Sequence, residues 1–131
     1  MVNDVARHTD IVGDLVDAMP GDKLPRVVTH SFRDALGVLS LARLYIGPEG
    51  GLHHAAAALG IPAVVIFGGF NSPKSTGYPW QSNITGSSGE PCGSVAACWH
   101  CRDAMASITV ERVLEAARAE LDVRRKRKRP M

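Results

Sequence analysis

The spacing of apolar side chains divides the chain into alternating helices and short strands. Val5, Ile11, Leu15 and Met19 recur at helical intervals between Asp and Arg residues, which predicts a helix over residues 4–19. Gly13 weakens that helix, and Pro20-Gly21-Asp22 ends it. Arg26-Val27-Val28-Thr29 is a short β-branched run and predicts a buried strand. Ser31 can cap a second helix that runs to Ala42, with Ala35, Leu36, Leu39 and Leu44 on its inner side. Leu44-Tyr45-Ile46 predicts another strand. His53 to Leu59 reads as an Ala-rich helix, with Gly60 just past its end and Pro62 beyond. Ala63-Val64-Val65-Ile66-Phe67 has no polar side chain, as expected of a strand covered on both faces.

The texture changes after Phe67. Residues 68–107 are rich in Gly, Ser, Pro and Asn and read as one long loop, with a short strand around Asn83-Ile84-Thr85. Thr109 caps a final helix with Glu111 in its first turn, where the helix dipole favours an anion. Val110, Val113, Leu114, Ala117 and Leu121 form its expected apolar stripe. Alternation at this pitch implies right-handed crossovers and an α/β fold: a Rossmann-like parallel sheet with flanking helices. A doubly wound domain normally opens with a central strand, whereas this pattern opens with a helix. The expectation is a partial Rossmann-like domain over residues 1–123, truncated at its N-terminus, followed by a tail at residues 124–131.

Composition adds limits. With 131 residues, 45% of them hydrophobic and 21% charged, the chain suits one globular domain. Its apolar stretches are broken well short of the ~20 residues of a membrane span. Met1-Val2-Asn3-Asp4-Val5 has no basic region followed by an apolar run, so a cytoplasmic location is expected. The net charge is +2, but Arg124 to Arg129 carries six of the 15 basic residues. Without those six the body stands at −4, which argues against a nucleic-acid-binding face. The basic run reads as a solvated tail. It could also rest on an anionic membrane surface, placing the protein peripherally at the inner face.

The chemistry concentrates at Gly47-Pro48-Glu49-Gly50-Gly51-Leu52-His53-His54. Ligands of open α/β sheets bind at the carboxyl ends of strands, where this turn stands. The first turn of a helix offers unpaired N–H groups and partial positive charge, so it suits an anion. Gly50 and Gly51 carry no Cβ to hold a phosphate away. His53 and His54 fall in the first helical turn, and one of them can donate to a phosphate oxygen. An ionised Glu49 would repel a diphosphate, so it is expected to accept from backbone N–H groups or from a sugar hydroxyl.

The run Leu39 to Tyr78 resembles the donor-binding domain of glycosyltransferase family 9, the ADP-heptose:lipopolysaccharide heptosyltransferase family. There a strand ends in an acidic residue, Ser or Thr, Gly, two variable residues and His, before an Ala-rich helix. Here the order reads Glu49, Gly50, Gly51, Leu52, His53, His54, then Ala55-Ala56-Ala57-Ala58-Leu59-Gly60-Ile61-Pro62. The strand Ala63 to Phe67 and Gly68-Gly69 match the family's next strand and its Gly-containing loop. Pro73 and Gly77-Tyr78 match the loop that approaches the nucleotide sugar. Two positions depart from the pattern: Glu49 replaces the commoner Asp, and Gly50 replaces a hydroxyl residue.

The resemblance implies a GT-B architecture, of which this chain would be the C-terminal, donor-binding half. It implies inverting transfer from a nucleotide-diphosphate sugar, such as an ADP-linked one, in cell-envelope polysaccharide or lipopolysaccharide synthesis, with no further cofactor. Glu49, Gly50, Gly51 and His54 would form the diphosphate site. Thr29, His30, His53, Gly68, Gly69 and Tyr78 would lie near the nucleotide or sugar. The catalytic base would come from a separate acceptor-binding domain, and no base is assigned in this chain. The alternative is an inactive remnant or a nucleotide-binding subunit. An NAD-dependent oxidoreductase is disfavoured, because no Gly-x-Gly-x-x-Gly run follows a strand.

Cys92, Cys98 and Cys101, with His100, invite a zinc reading. The low, odd count does not suit a secreted disulfide framework. Neighbouring residues such as His100 and Cys101 rarely reach one metal, so the expectation is no metal site, only reduced thiols or a labile disulfide.

Overall fold

The computed structural model describes residues 27–86, 90–96 and 98–127. The helix expected over residues 4–19 lies outside them, as do Arg26 and residues 128–131. The chain divides into two units, Met1–His30 and Ser31–Met131. In the first unit, residues 27–29 are irregular, and Val27 and Val28 are 60% and 66% exposed. The buried strand expected at Arg26–Thr29 is therefore not formed there. β-branched residues favour a strand only where a neighbour completes the ladder and a second layer covers the side chains. Among the described residues this run has neither.

The second unit runs α1 (Phe32–Ser40), β1 (Tyr45–Pro48), α2 (Gly51–Ala58), β2 (Ala63–Phe67), α3 (Pro73–Thr76), β3 (Ser82–Thr85), α4 (Trp99–Ala106) and α5 (Val110–Arg127). The strands form one parallel sheet in the order β1-β2-β3, with Tyr45 beside Ala63 and Val64 beside Ser82. This is the expected Rossmann-like α/β arrangement. Ser31 caps α1 as expected, its hydroxyl accepting from the Asp34 N–H at 3.1 Å. The strand expected at Leu44–Ile46 begins one residue later and extends through Pro48, so Gly47 lies inside β1. Pro48 is tolerated because β1 is an edge strand among the described residues.

β2 fixes the layers. Its side chains alternate between faces. Ala63, Val65 and Phe67 bury with Leu39, Ala56 and Ile61 under α1 and α2. Val64 buries on the other face with Ile84 and Ala117, under α5. Parallel strands fully covered in this way carry only apolar residues, which is why β2 is the plainest element in the sequence.

Two corrections concern the C-terminal part. Residues 68–107 are not one loop: besides β3 they hold α3 and α4. Both helices are short and lack a continuous apolar stripe. α4 is moreover capped by the Cys98 sulfur, which accepts from the Cys101 N–H, rather than by a usual capping side chain. In α5, Thr109 caps as expected, but Val110 and Leu114 of the predicted stripe are 68% and 46% exposed. The buried side is Val113, Ala116 and Ala117, where two small residues let the helix approach the sheet. Polar ties set that rotation: Ser82 Oγ donates to Glu120 Oε1 at 2.7 Å, and Arg112 Nη1 donates to the Thr85 carbonyl at 2.7 Å. The helix continues through Arg127, so its backbone takes in the first residues of the basic run.

Phe67 is 1% exposed and joins the two largest elements of its layer. Phe67→Ala is expected to lower the unfolding free energy by about 3–5 kcal/mol. A fall in urea midpoint at unchanged slope would read this out. A change near zero would place Phe67 outside the core.

Candidate functional site

The turn after β1 is built by backbone geometry. Glu49 N–H donates to the Ile66 carbonyl at 3.1 Å, carrying the ladder one residue past Pro48. The chain then reverses at Gly50, whose φ of 150° is rarely open to an L side chain. A Cβ there would meet nothing within 4 Å, so conformation and not crowding requires the glycine. Gly50 is also the N-cap of α2 and makes no side-chain cap. The first N–H groups of α2 thus open at the carboxyl edge of the sheet without a capping side chain. Gly47 has a different duty. A Cβ there would lie 2.5 Å from the Tyr45 hydroxyl, which folds back to donate to the Pro48 carbonyl at 2.9 Å. Burial holds the Tyr45 phenol above its ordinary pKa.

The two histidines separate. His53 is fully buried. The Gly50 N–H donates to its Nδ1 at 2.8 Å, and its Nε2 lies 2.9 Å from the Thr76 carbonyl. A backbone N–H can only donate and a carbonyl can only accept, so these partners place the ring hydrogen on Nε2. Both ring nitrogens are engaged inside the protein. The His53 carbonyl also accepts from Gln81 Nε2 at 3.2 Å. His53 therefore shapes the turn from beneath. His54 is exposed, and its Nδ1 lies 3.0 Å from the Tyr78 hydroxyl with the two rings nearly perpendicular at 82°. Of the two, His54 is the one whose ring reaches solvent.

Thr76 ties the turn to the next loop. Besides its carbonyl, its Oγ1 donates to Glu49 Oε2 at 3.2 Å and accepts from Asn71 Nδ2 at 3.3 Å. Glu49 is thus held by a hydroxyl of the protein itself, where backbone N–H groups or a sugar hydroxyl were expected. Neither Thr76 nor Asn71 is prominent in the sequence. The available signal was Ser72-Pro73: a capping hydroxyl followed by Pro at the first helical position marks the helix whose last residue is Thr76.

A cleft of about 320 Å³ opens at the same edge, at the ends of β2 and β3, lined by Phe67, Gly69, Asn71, Lys74, Thr85 and Glu90 among others. The glycine turn does not line it. Asn71 links the two through Thr76. Gly69 lines the cleft and has a φ of 87°; a Cβ there would sit 2.8 Å from the Ala104 Cβ. Gly68 faces Met105, with its sulfur 3.1 Å from a would-be Cβ. Both glycines admit α4 against the loop. The structure therefore brings Glu49, Gly50, Gly51, His53, His54 and Tyr78 together, with Gly69 in the neighbouring cleft. Thr29 and His30 belong to the first unit, where both are exposed.

A separate cluster lies beyond the cleft. Cys92 Sγ is 3.3 Å from Cys101 Sγ and 3.7 Å from Cys98 Sγ. The Cys92 thiol is lowered to about 7, first by the Ser94 backbone N–H and then by its bond with Cys101. Cys101 is pushed up to about 12, because hydrogen bonds with Cys92 and then Cys98 favour keeping its proton.

Comparison with known proteins gives one positive finding. The family model of glycosyltransferase family 9 (heptosyltransferase) matches residues 29–107, more than half of the chain. No curated protein and no solved structure matches.

The ring of His53 is expected to matter more than the hydroxyl of Thr76. His53→Phe strands the Gly50 N–H and the Thr76 carbonyl, at about 1–3 kcal/mol each. Thr76→Val leaves the Thr76 carbonyl bond in place, removes the side-chain bonds to the Glu49 carboxylate and to Asn71, and is expected to cost about 1.5 kcal/mol. Urea unfolding of the two variants checks the order, and the reverse order would refute the role given to His53.

Proposed function

The chain belongs to glycosyltransferase family 9, and on that premise we propose that it holds the nucleotide-diphosphate sugar donor for inverting transfer in cell-envelope polysaccharide or lipopolysaccharide synthesis. One observation carries the reading: α2 opens on a glycine N-cap without a side chain, at the carboxyl edge of a parallel sheet, with His54 beside it. The N–H groups of Gly51 and Leu52 point their partial charge at the diphosphate. His54, oriented by Tyr78 through Nδ1, donates from Nε2 to a phosphate oxygen. Glu49, steadied by Thr76, keeps its second oxygen for a sugar hydroxyl. The loop at Gly68 and Gly69 borders the sugar.

In the transfer, an acceptor hydroxyl attacks the anomeric carbon and the diphosphate leaves from the opposite face. A base deprotonates the acceptor, and the α2 terminus and His54 stabilise the negative charge that develops on the leaving group. We assign the acceptor site and the base to a separate domain. No helix among the described residues is long and apolar enough to cross a membrane. We assign membrane contact to Arg124–Arg129, at roughly 1 kcal/mol per basic residue against anionic lipid at the inner face.

Calorimetry with ADP and an ADP-sugar tests the reading. Both are expected to bind. Gly50→Val combined with His54→Ala is expected to weaken binding at least about tenfold, or about 1.4 kcal/mol. A folded sample that binds neither ligand, or a double variant that binds unchanged, would sink it. A transfer assay on the chain alone separates an enzyme from a donor-binding subunit: this reading expects turnover only with an acceptor-binding domain present.

A further inference from the structure

The segment between the cleft and α4 lacks what normally fixes a loop. Among the described residues 90–96 and 98, none is buried, and Val95 is 97% exposed. Its backbone is nonetheless pinned: the Cys92 N–H donates to the Gly69 carbonyl at 2.9 Å and the Gly93 N–H to the Phe70 carbonyl at 3.1 Å. Gly93 turns at a φ of 62°. Together these bonds return Cys92 to the N-terminus of α4, where Cys98 is the N-cap and His100 and Cys101 lie in the first turn.

The ligand atoms of Cys92, Cys98, His100 and Cys101 all lie within 4.8 Å of one another. The neighbouring His100 and Cys101 do converge, against expectation, because the Cys98 cap folds its sulfur over the first turn and the 92–94 loop meets it. A tetrahedral zinc site with arms of about 2.3 Å has S···S edges of about 3.8 Å. The 3.3 and 3.7 Å separations here stand near that value, and a pair at the 4.8 Å limit has only about 1 Å to close. We propose that Cys92, Cys98, His100 and Cys101 bind one zinc-class metal ion in a closed, structural Cys₃His site that fastens the cysteine loop to the edge of the cleft lined by Gly69 and Glu90.

The surroundings suit three thiolates. The Ser94 N–H donates to Cys92 Sγ at 3.4 Å and the Cys101 N–H to Cys98 Sγ at 3.5 Å. Such N–H···S bonds, with the positive end of the α4 dipole, offset the single negative charge left by three thiolates and a divalent ion. Binding deprotonates the thiols, and the released protons pass to solvent. All four protein ligands are used, so the ion has no open position for substrate and acts by ordering the chain. A disulfide would use two sulfurs and leave the third thiol and the imidazole beside it unused.

The test uses the whole chain, purified under reducing conditions without chelator, and needs no nucleotide, so it stands apart from the donor-binding experiments. One zinc per chain is expected by elemental analysis. Exchange for cobalt(II) is expected to give the intense visible bands of a tetrahedral thiolate site, saturating at one equivalent. Cys98→Ser is expected to abolish those bands. His100→Cys is expected to keep them with a shift, because a Cys₄ set also closes the tetrahedron. A folded wild-type chain giving only weak octahedral cobalt bands would overturn the proposal, whatever the variants do. So would tetrahedral bands unchanged in Cys98→Ser, or a Cys92–Cys101 disulfide with no metal in the reduced preparation.

Discussion

One neutral imidazole holds the candidate site together. His53 receives the Gly50 N–H on one side and gives its own hydrogen to the Thr76 carbonyl on the other. One bond is local and the other reaches 23 positions along the chain, and both meet in a ring without solvent contact. Gly50 can keep its left-handed conformation because its N–H has a fixed partner. Thr76 can present its hydroxyl to Glu49 because its carbonyl is anchored. The buried ring is thus the geometric reference for the exposed one beside it: His54 follows on the same helix, with its centroid 3.9 Å away.

The sheet beneath is simpler. β2 carries five apolar residues, and its alternation assigns three of them to one layer and Val64 to the other. That much was legible in the sequence because a strand covered on both faces has no choice of residue type. The caps at Ser31 and Thr109 were legible for a related reason: a hydroxyl before an apolar run has a specific N–H to satisfy. The run at Arg26–Thr29 misleads because β propensity describes a side chain's fit to a sheet and does not supply the sheet. In α5 the expected stripe passes through the largest residues, whereas close packing selects the smallest, Ala116 and Ala117.

The site was only half legible. The order from Glu49 to His54 marks the turn, and the resemblance to the family pattern marks it further. Sequence could not say which histidine is inside, because adjacent helical residues point about 100° apart and a small shift in helix rotation exchanges them. Nor could it find Thr76 or Asn71, which act through contacts that close only when α3 folds against the turn. The cysteine cluster shows the same limit. Judged by spacing, His100 and Cys101 point apart and rarely reach one ion. In the fold, a sulfur N-cap and a returning loop bring four ligand atoms into one small volume.

Gly50 stands where the family pattern carries a hydroxyl residue, and its backbone conformation strains any side chain placed there. A cradle made of main-chain N–H groups recognises charge and shape and is indifferent to what the phosphates are attached to. On the proposed function, that cradle grips the departing diphosphate more firmly once the sugar has left, because the diphosphate then carries more negative charge. Product would then compete with donor for the same groups, and the pace of turnover would be set by how readily the spent nucleotide escapes.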